Sequence, residues 1–328
     1  MKEAMYWEAV EGGKCRCRLC PHQCLIGPGK EGICQNKKNL DGTLMAFRYG
    51  EITALNLDPV EKKPLYHFFP GKSILSVGTF GCNLACAFCQ NYHLWDGHCP
   101  TDPAGPEDLV AAAQRSRSFG LAYTYNEPYM SFEYVLDTAK LARAAGLKNV
   151  LVTNGYYNPE PFEELLPFID AMNIDLKAIR DDFYKKLCKA RVEPVKRTIA
   201  RAAQSCLVEV TNLLVTGEND SDADVAALVD WVASVSVDLP LHFSAYHPMY
   251  KLDTPPTSLE RLQRAYEIAA AKLHYVYLGN VLSNIGANTN CPHCGAVLVK
   301  RRGYTVQIEN LRGDKCGACG NKLNFVGV

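Results

Sequence analysis

Charge of one sign is what this chain lacks. Its 328 residues carry 35 lysines and arginines against 35 aspartates and glutamates. That balance gives no electrostatic basis for a nucleic-acid or membrane-surface protein. Long apolar runs are missing too: none approaches the roughly 18 residues of a membrane span. The opening MKEAMYWEAVEGGK has no apolar core of the kind a signal peptide needs. Neither a repeat with a period of about 20–50 residues nor a low-complexity tract is present. These absences predict a cytoplasmic, globular protein with no membrane attachment.

Cysteine, by contrast, is plentiful, with 15 in the chain. In a reducing compartment, clustered cysteines point to metal ligation rather than disulfides. Cys15, Cys17, Cys20, Cys24 and Cys34 crowd the N-terminal stretch. Cys82, Cys86 and Cys89 form a central triplet with Cys99 nearby, and Cys291, Cys294, Cys316 and Cys319 lie near the C-terminus. Cys188 and Cys206 stand alone and read as small buried hydrophobes.

Between the cysteine groups, strand and helix patterns alternate. Short apolar runs at 74–80, 121–125, 149–153, 172–176, 207–215 and 241–246 read as strands buried on both faces, and 275–278 adds a further candidate. Helical patterns fall between most of them. One opens at Pro106, one runs from a Ser131 cap to Gly146, and one starts with the acids of DSDAD. Six strand–helix units in order predict a parallel α/β sheet. They are too few for a closed eight-fold barrel, so the expected architecture is a partial, open (β/α)6 barrel.

Active sites gather at the C-terminal ends of such strands. The first strand is followed by the cysteine triplet, the second by Asn126 and Glu127 in YTYNEP, and the third by Thr153, Asn154 and Gly155 in VTNG. The fourth ends in NIDLK, where Asp175 and Lys177 share a face, and the sixth in SAYHP, with Tyr246 and His247.

Three clustered cysteines suit neither paired disulfides nor a four-ligand zinc site, unless Cys99 is borrowed. A four-iron cluster normally takes four thiolates, so three leave one iron open. The spacing in GTFGCNLACAFCQN, C-x3-C-x-aromatic-C with Phe88, resembles the signature of the radical SAM superfamily. The resemblance implies a 4Fe–4S cluster on Cys82, Cys86 and Cys89, with S-adenosylmethionine (SAM) on the open iron. It also implies reductive cleavage to a 5′-deoxyadenosyl radical that abstracts hydrogen from a substrate.

Residues 72–285 resemble the glycyl-radical-enzyme activases, pyruvate formate-lyase activating enzyme among them. That likeness implies a SAM amino-group site at Asn126 and Glu127 and an activase segment at Thr153–Asn154–Gly155. It implies a SAM carboxylate at Lys177, with Asp175 at a cation or SAM site, and it sets His247 beside nucleoside and substrate. For Lys177 and Asp175 a plain strand-end ion pair is the alternative, and for His247 an uninvolved histidine. Flavodoxin or ferredoxin as electron donor, and a protein or peptide substrate, are further implications. Two positions depart from the activases: Val152 stands for an aspartate and Thr211 for an arginine. CRLCPHQCLI…GIC, DPVEKKPLYHFFPG, GTFGCN…CAFCQN and YTYNEP together resemble the AmmeMemoRadiSam-system radical SAM enzymes. This family is named for gene association with two other proteins, which become candidate companions.

At the C-terminus, CPHCG and CGACG are two C-x2-C knuckles 21 residues apart. Cys291, Cys294, Cys316 and Cys319 can jointly bind one tetrahedral metal, zinc or rubredoxin-like iron. YTVQIENL between them reads as a strand. A mini-domain of roughly 40 residues needs such a staple, so its role reads as structural. Lys300, Arg301 and Arg302 read as a solvated basic face. At the N-terminus, Cys17, Cys20, Cys24 and Cys34 give C-x2-C-x3-C-x9-C, with Cys15 spare and His22 an alternative ligand. Zinc or an auxiliary 4Fe–4S cluster feeding electrons to the catalytic one both fit that spacing.

The expected organisation is a cysteine-rich segment over 1–45, a connecting segment over 46–71, a radical SAM core over 72–285 and a zinc-ribbon-like mini-domain over 286–328. The leading activity is activase-like hydrogen abstraction. The alternatives are a radical SAM modifier of a peptide, another protein or a small molecule, and a non-catalytic zinc-binding interaction protein.

Overall fold

The computed structural model describes residues 1–95, 99–281 and 283–328. Its centre is one eight-stranded sheet. The strands are β1 (Ala54–Pro59), β2 (Ser73–Gly78), β3 (Gly120–Tyr123), β4 (Lys148–Thr153), β5 (Ala171–Asp175), β6 (Leu207–Leu214), β7 (Leu241–Ala245) and β8 (Val276–Gly279). They lie side by side in chain order, with β2 to β8 all parallel and β1 antiparallel against β2. Edges β1 and β8 do not pair, so the barrel stays open. The six expected strand–helix units are present, and the 275–278 run supplies the last parallel strand. β1 is an addition, lying in the stretch read as a connection.

Helices α1 (Pro106–Arg115), α2 (Phe132–Ala144), α3 (Pro159–Leu165), α4 (Val192–Ala202), α5 (Asp222–Val235) and α6 (Leu259–Ala270) make the crossovers. Pro106 opens α1, and the Asp108 carboxylate accepts the Gly105 N–H at 2.8 Å. Ser221 caps α5 by accepting the Asp224 N–H. Ser131 does not cap α2 as expected. A 3-10 turn over Pro128–Ser131 precedes the helix, and the Ser131 hydroxyl accepts Asn36 Nδ2 at 2.9 Å instead, tying the N-terminal module to the barrel.

The strand alternation produces two cores. Leu75, Val77, Leu121, Leu151, Ile174 and Phe243 pack in the layer shared with the helices, which contribute Leu136, Ile199, Leu228 and Leu262. On the opposite face Ile74, Ala122, Val150, Ala171 and Leu207 enclose Val60, Leu65 and Phe68. The segment between β1 and β2 therefore plugs the barrel interior and forms the floor beneath the strand ends.

Both ends of the chain dock on this barrel. The N-terminal module has two three-stranded antiparallel sheets, one containing Lys14–Cys17 and the other Lys37–Leu40. Buried Lys37 pairs with buried Glu133 at the start of α2. At the other end, the hairpin of Val297–Arg302 and Thr305–Ile308 forms the mini-domain. Arg301 is not solvated: it is 6 % exposed, and it donates to Thr289 Oγ1 and the Tyr66 carbonyl at 2.7 Å each while lying over the Tyr66 ring. Only its neighbours Lys300 and Arg302 face solvent. A chain of hydrogen bonds continues from Thr289 to Tyr277 and from Tyr277 to His67, whose other ring nitrogen meets the Asn324 carbonyl. Among the described residues no helix is long and apolar enough to cross a membrane.

Candidate active site

A cavity of about 540 Å³ opens at the C-terminal ends of the parallel strands. Cys82, Cys86, Cys89 and Phe88 wall one side of it. Asn126, Glu127, Thr153, Asn154, Asp175 and Lys177 contribute from the next three strand ends. Nearly all the residues expected at the site therefore face one chamber. His247 does not line it. This histidine is exposed, with Nε2 3.5 Å from the carbonyl of Asn280, which is itself a wall residue.

The triplet loop is held from several directions. Asn126 takes the Thr79 N–H on Oδ1 and donates Nδ2 to the Gly81 carbonyl at 2.8 Å. Asn83 Nδ2 reaches the Tyr156 carbonyl at 2.9 Å. The backbone N–H groups of Ala85 and Ala87 donate to the carbonyls of Cys188 and Leu187. The Cys82 sulfur accepts from Leu84 N at 3.4 Å and from Asn154 Nδ2 at 3.7 Å. Hydrogen bonds of this kind favour a sulfur carrying negative charge, but burial outweighs them and holds the Cys82 thiol well above its ordinary pKa.

Glu127 is almost wholly enclosed, at 1 % exposure. Oε1 accepts from Thr153 Oγ1 at 2.8 Å and from the Tyr157 hydroxyl and the Tyr129 N–H at 3.2 Å each, whereas Oε2 accepts, among the described residues, only the Asn154 N–H, at 2.8 Å. Burial pushes its pKa up to about 7 despite those donors. Lys177 Nζ lies 2.9 Å from Asp175 Oδ2 and faces the Phe88 ring. Burial opposes its charge, but Asp175 and the nearby Cys86 and Cys188 sulfurs outweigh it, so its pKa stands well above the ordinary lysine value. The two departures from the activases, Val152 and Thr211, both line the chamber.

Residues 76–232 match the model described as the radical SAM superfamily. An uncharacterized protein of Methanocaldococcus jannaschii is 42 % identical over 335 residues, covering 99 % of this chain and all of that one. Pyruvate formate-lyase 1-activating enzyme of Escherichia coli is 24 % identical over 218 residues, 60 % of this chain and 88 % of the enzyme. Among solved structures, Streptococcus suis SuiB superposes with a TM-score of 0.50 at 14 % identity, over 65 % of this chain and 48 % of SuiB.

The chain belongs to the radical SAM superfamily.

The superfamily's cofactors are a 4Fe–4S cluster and SAM, and the cysteine triplet lies within the matched residues. Several wall residues of this radical SAM chain escaped the sequence reading. Cys188 is not one of them: as expected of a small buried residue it is fully enclosed, at the end of the π-helix Tyr184–Cys188 after β5, and it lies beside Cys86, whose pKa it draws down. Lys62 and Lys63 enter from the interior plug, and both pair with Asp58, which also accepts the Tyr125 hydroxyl. Tyr304, at the tip of the C-terminal hairpin, also reaches the chamber wall.

At the C-terminus the four cysteines gather as expected. The sulfurs of Cys291, Cys294, Cys316 and Cys319 all lie within 4.8 Å of one another, with Cys291–Cys319 and Cys294–Cys316 at 3.7 Å. Gly295 and Gly320, both at φ of 75°, let each knuckle turn back. Tetrahedral ligands about 2.3 Å from one ion sit roughly 3.8 Å apart, so this group is dimensioned for a single metal.

Proposed function

We propose that this protein is a radical SAM enzyme that cleaves SAM reductively at a 4Fe–4S cluster on Cys82, Cys86 and Cys89 and abstracts hydrogen from its substrate in the manner of a glycyl-radical activase. The observation that carries the reading is the single chamber in which the three thiols meet Glu127, Asn154 and Lys177. The residues fit the cofactors. No three of the triplet's potential ligands crowd within 4.8 Å, as one zinc ion would require, and the Cys82 sulfur is already provided with two donors. The volume lies within the roughly 300–1,000 Å³ of small-ligand sites.

When bound, the reduced cluster supplies the electron that splits the SAM sulfonium and so generates the hydrogen-abstracting 5′-deoxyadenosyl radical. The chain's own residues orient and shelter. Glu127 Oε2, with one acceptor position in use, is available to an ammonium group, and Lys177 to a carboxylate. Asn126 and Asn154 fix the loop and a ligand sulfur. Phe88 and the plugged interior keep water from the strand ends. His247, outside the chamber wall, would act only on a substrate that extends past Asn280.

A second reading, radical modification of a peptide, another protein or a small molecule, is favoured by Val152 and Thr211, since both replace activase groups on the chamber wall. The reading as an interaction protein without catalysis has no use for the chamber. A flavodoxin- or ferredoxin-type donor, a cytoplasmic setting and companion proteins of the associated genes complete the proposal.

The test is anaerobic reconstitution, incubation with SAM and reductant, and analysis of products with candidate partners. A brown protein absorbing broadly near about 400 nm and forming 5′-deoxyadenosine is expected. Cys86→Ala should abolish that product while keeping the C-terminal metal. Full product from that variant would refute the assignment, and a colourless protein holding only zinc would favour the interaction reading.

A further inference from the structure

The N-terminal module folds around a second group of thiols that the proposed chemistry does not use. Cys17, Cys20 and Cys34 are 8, 7 and 8 % exposed, and Cys24 is half-buried. With Leu19, Ile26, Ile33 and Met130 they wall a small cavity whose single charged lining residue among those described is Lys37. Packing alone does not call for four sulfurs facing one apolar space.

The buried Lys37 side chain, ion-paired with Glu133, also lines the cavity. His22, considered as a ligand, is engaged elsewhere: its Nε2 meets the Asn83 carbonyl at 2.8 Å. Cys15 is engaged as well, donating to the Gly42 carbonyl.

Spacing separates one ion from a cluster. Ligands of a single zinc converge to roughly 3.8 Å from one another, and the C-terminal four do so. Among the described residues that C-terminal group is the only one with three or more potential ligand atoms mutually within 4.8 Å. No three of the N-terminal sulfurs lie mutually within that distance, and neither do those of Cys82, Cys86 and Cys89. In a cluster each thiolate binds a different iron, so wide spacing is what it requires.

We propose that Cys17, Cys20, Cys24 and Cys34 hold a second 4Fe–4S cluster, one thiolate to each iron. Every iron is then occupied by protein, and the cluster has no place for SAM. It lies directly behind the catalytic loop, where the Cys34 carbonyl touches Gly81 and the His22 ring bonds the residue after Cys82.

The experiment uses the full chain with Cys82, Cys86 and Cys89 all changed to Ala, so that its outcome is independent of SAM chemistry. Protein reconstituted anaerobically with iron and sulfide is analysed for iron and zinc, and by electron paramagnetic resonance after reduction, with and without SAM. The expected result is a brown protein with about four irons per chain, whose reduced signal SAM leaves unmoved. Adding Cys20→Ser and Cys34→Ser to that background should remove the iron. A colourless triplet variant with about two zinc ions per chain would overturn the proposal, as would a signal that shifts with SAM. Iron surviving the Cys20→Ser and Cys34→Ser changes in excess of the single ion that the C-terminal cysteines can hold would overturn it as well. If the five-fold variant does not fold, the triplet variant alone still decides between cluster and zinc.

Discussion

The carbonyl oxygen of Cys34 lies 2.1 Å from the position a Cβ on Gly81 would occupy. No side chain fits there, and Gly81 also holds φ of 89°, a left-handed conformation that favours glycine. The residue before Cys82 is thus pressed against the N-terminal module.

Gly81→Ala should therefore force the loop and the module apart. A stability loss of about 1–3 kcal/mol is expected, with reduced iron retention by the triplet. Gly12→Ala is the control: it is also left-handed, at φ of 75°, but it has open space around it. Backbone strain alone should cost it only about 1 kcal/mol. Equal melting temperatures for the two variants would show that the contact yields.

Lys177→Met tests the ammonium at the chamber wall. Loss of a charge-assisted hydrogen bond costs about 1.5–3 kcal/mol, or roughly 10- to 150-fold in affinity. SAM titrated into the reduced, cluster-loaded variant, followed by electron paramagnetic resonance, should show that weakening with the cluster intact. An unchanged curve with normal cleavage would leave Lys177 as the partner of Asp175 and no more.

His67 sets a pH dependence of stability. Burial lowers its pKa from 6.5 to about 4. The ring is neutral, accepting from Tyr277 and donating to the Asn324 carbonyl, with Arg301 and Thr289 ordering the donors upstream. Because the folded value lies below the unfolded one, the unfolded chain binds the proton first as pH falls. Its contribution is whole above about 6.5 and drains away towards about 4, by up to roughly 3 kcal/mol. Urea unfolding across that window should show the slope, and His67→Gln should flatten it. A slope of the same size in the variant would assign the effect to other groups.

Cys316→Ser should release the C-terminal metal, because a module this small draws much of its folding energy from it. Hydrogen exchange over the hairpin should quicken while the barrel's iron stays constant. Loss of iron in step with zinc would mean that the two sites are one cooperative unit.

The barrel was legible because its strands are short and buried on both faces, so apolar runs such as 149–153 stand out from amphipathic helices. The triplet and the C-terminal knuckles were legible because their ligands are close in sequence. What was not legible depends on distant partners. β1 exposes Leu55 and Leu57 at a sheet edge and ends at a proline, so ALNLDP has no buried-strand signature. Arg301 looks solvated until Tyr66, 235 residues earlier, is placed against it. Ser131 has the form of a cap, but its hydroxyl is taken by Asn36. Cys188 reads as a buried residue, and only its place beside Cys86 waits on the fold.

Tyr304 comes from a module built around four converging cysteines of its own. The chamber is thus assembled from parts of different evolutionary freedom. In the proposed function the triplet loop and the strand ends answer to cofactor geometry, and a change there endangers the chemistry itself. The hairpin tip, the turn between Arg302 and Thr305, belongs to no barrel strand. Exchanging that tip between homologues is accordingly the mildest way to reshape what the chamber admits, and the place where specificity can drift while the radical machinery stays still.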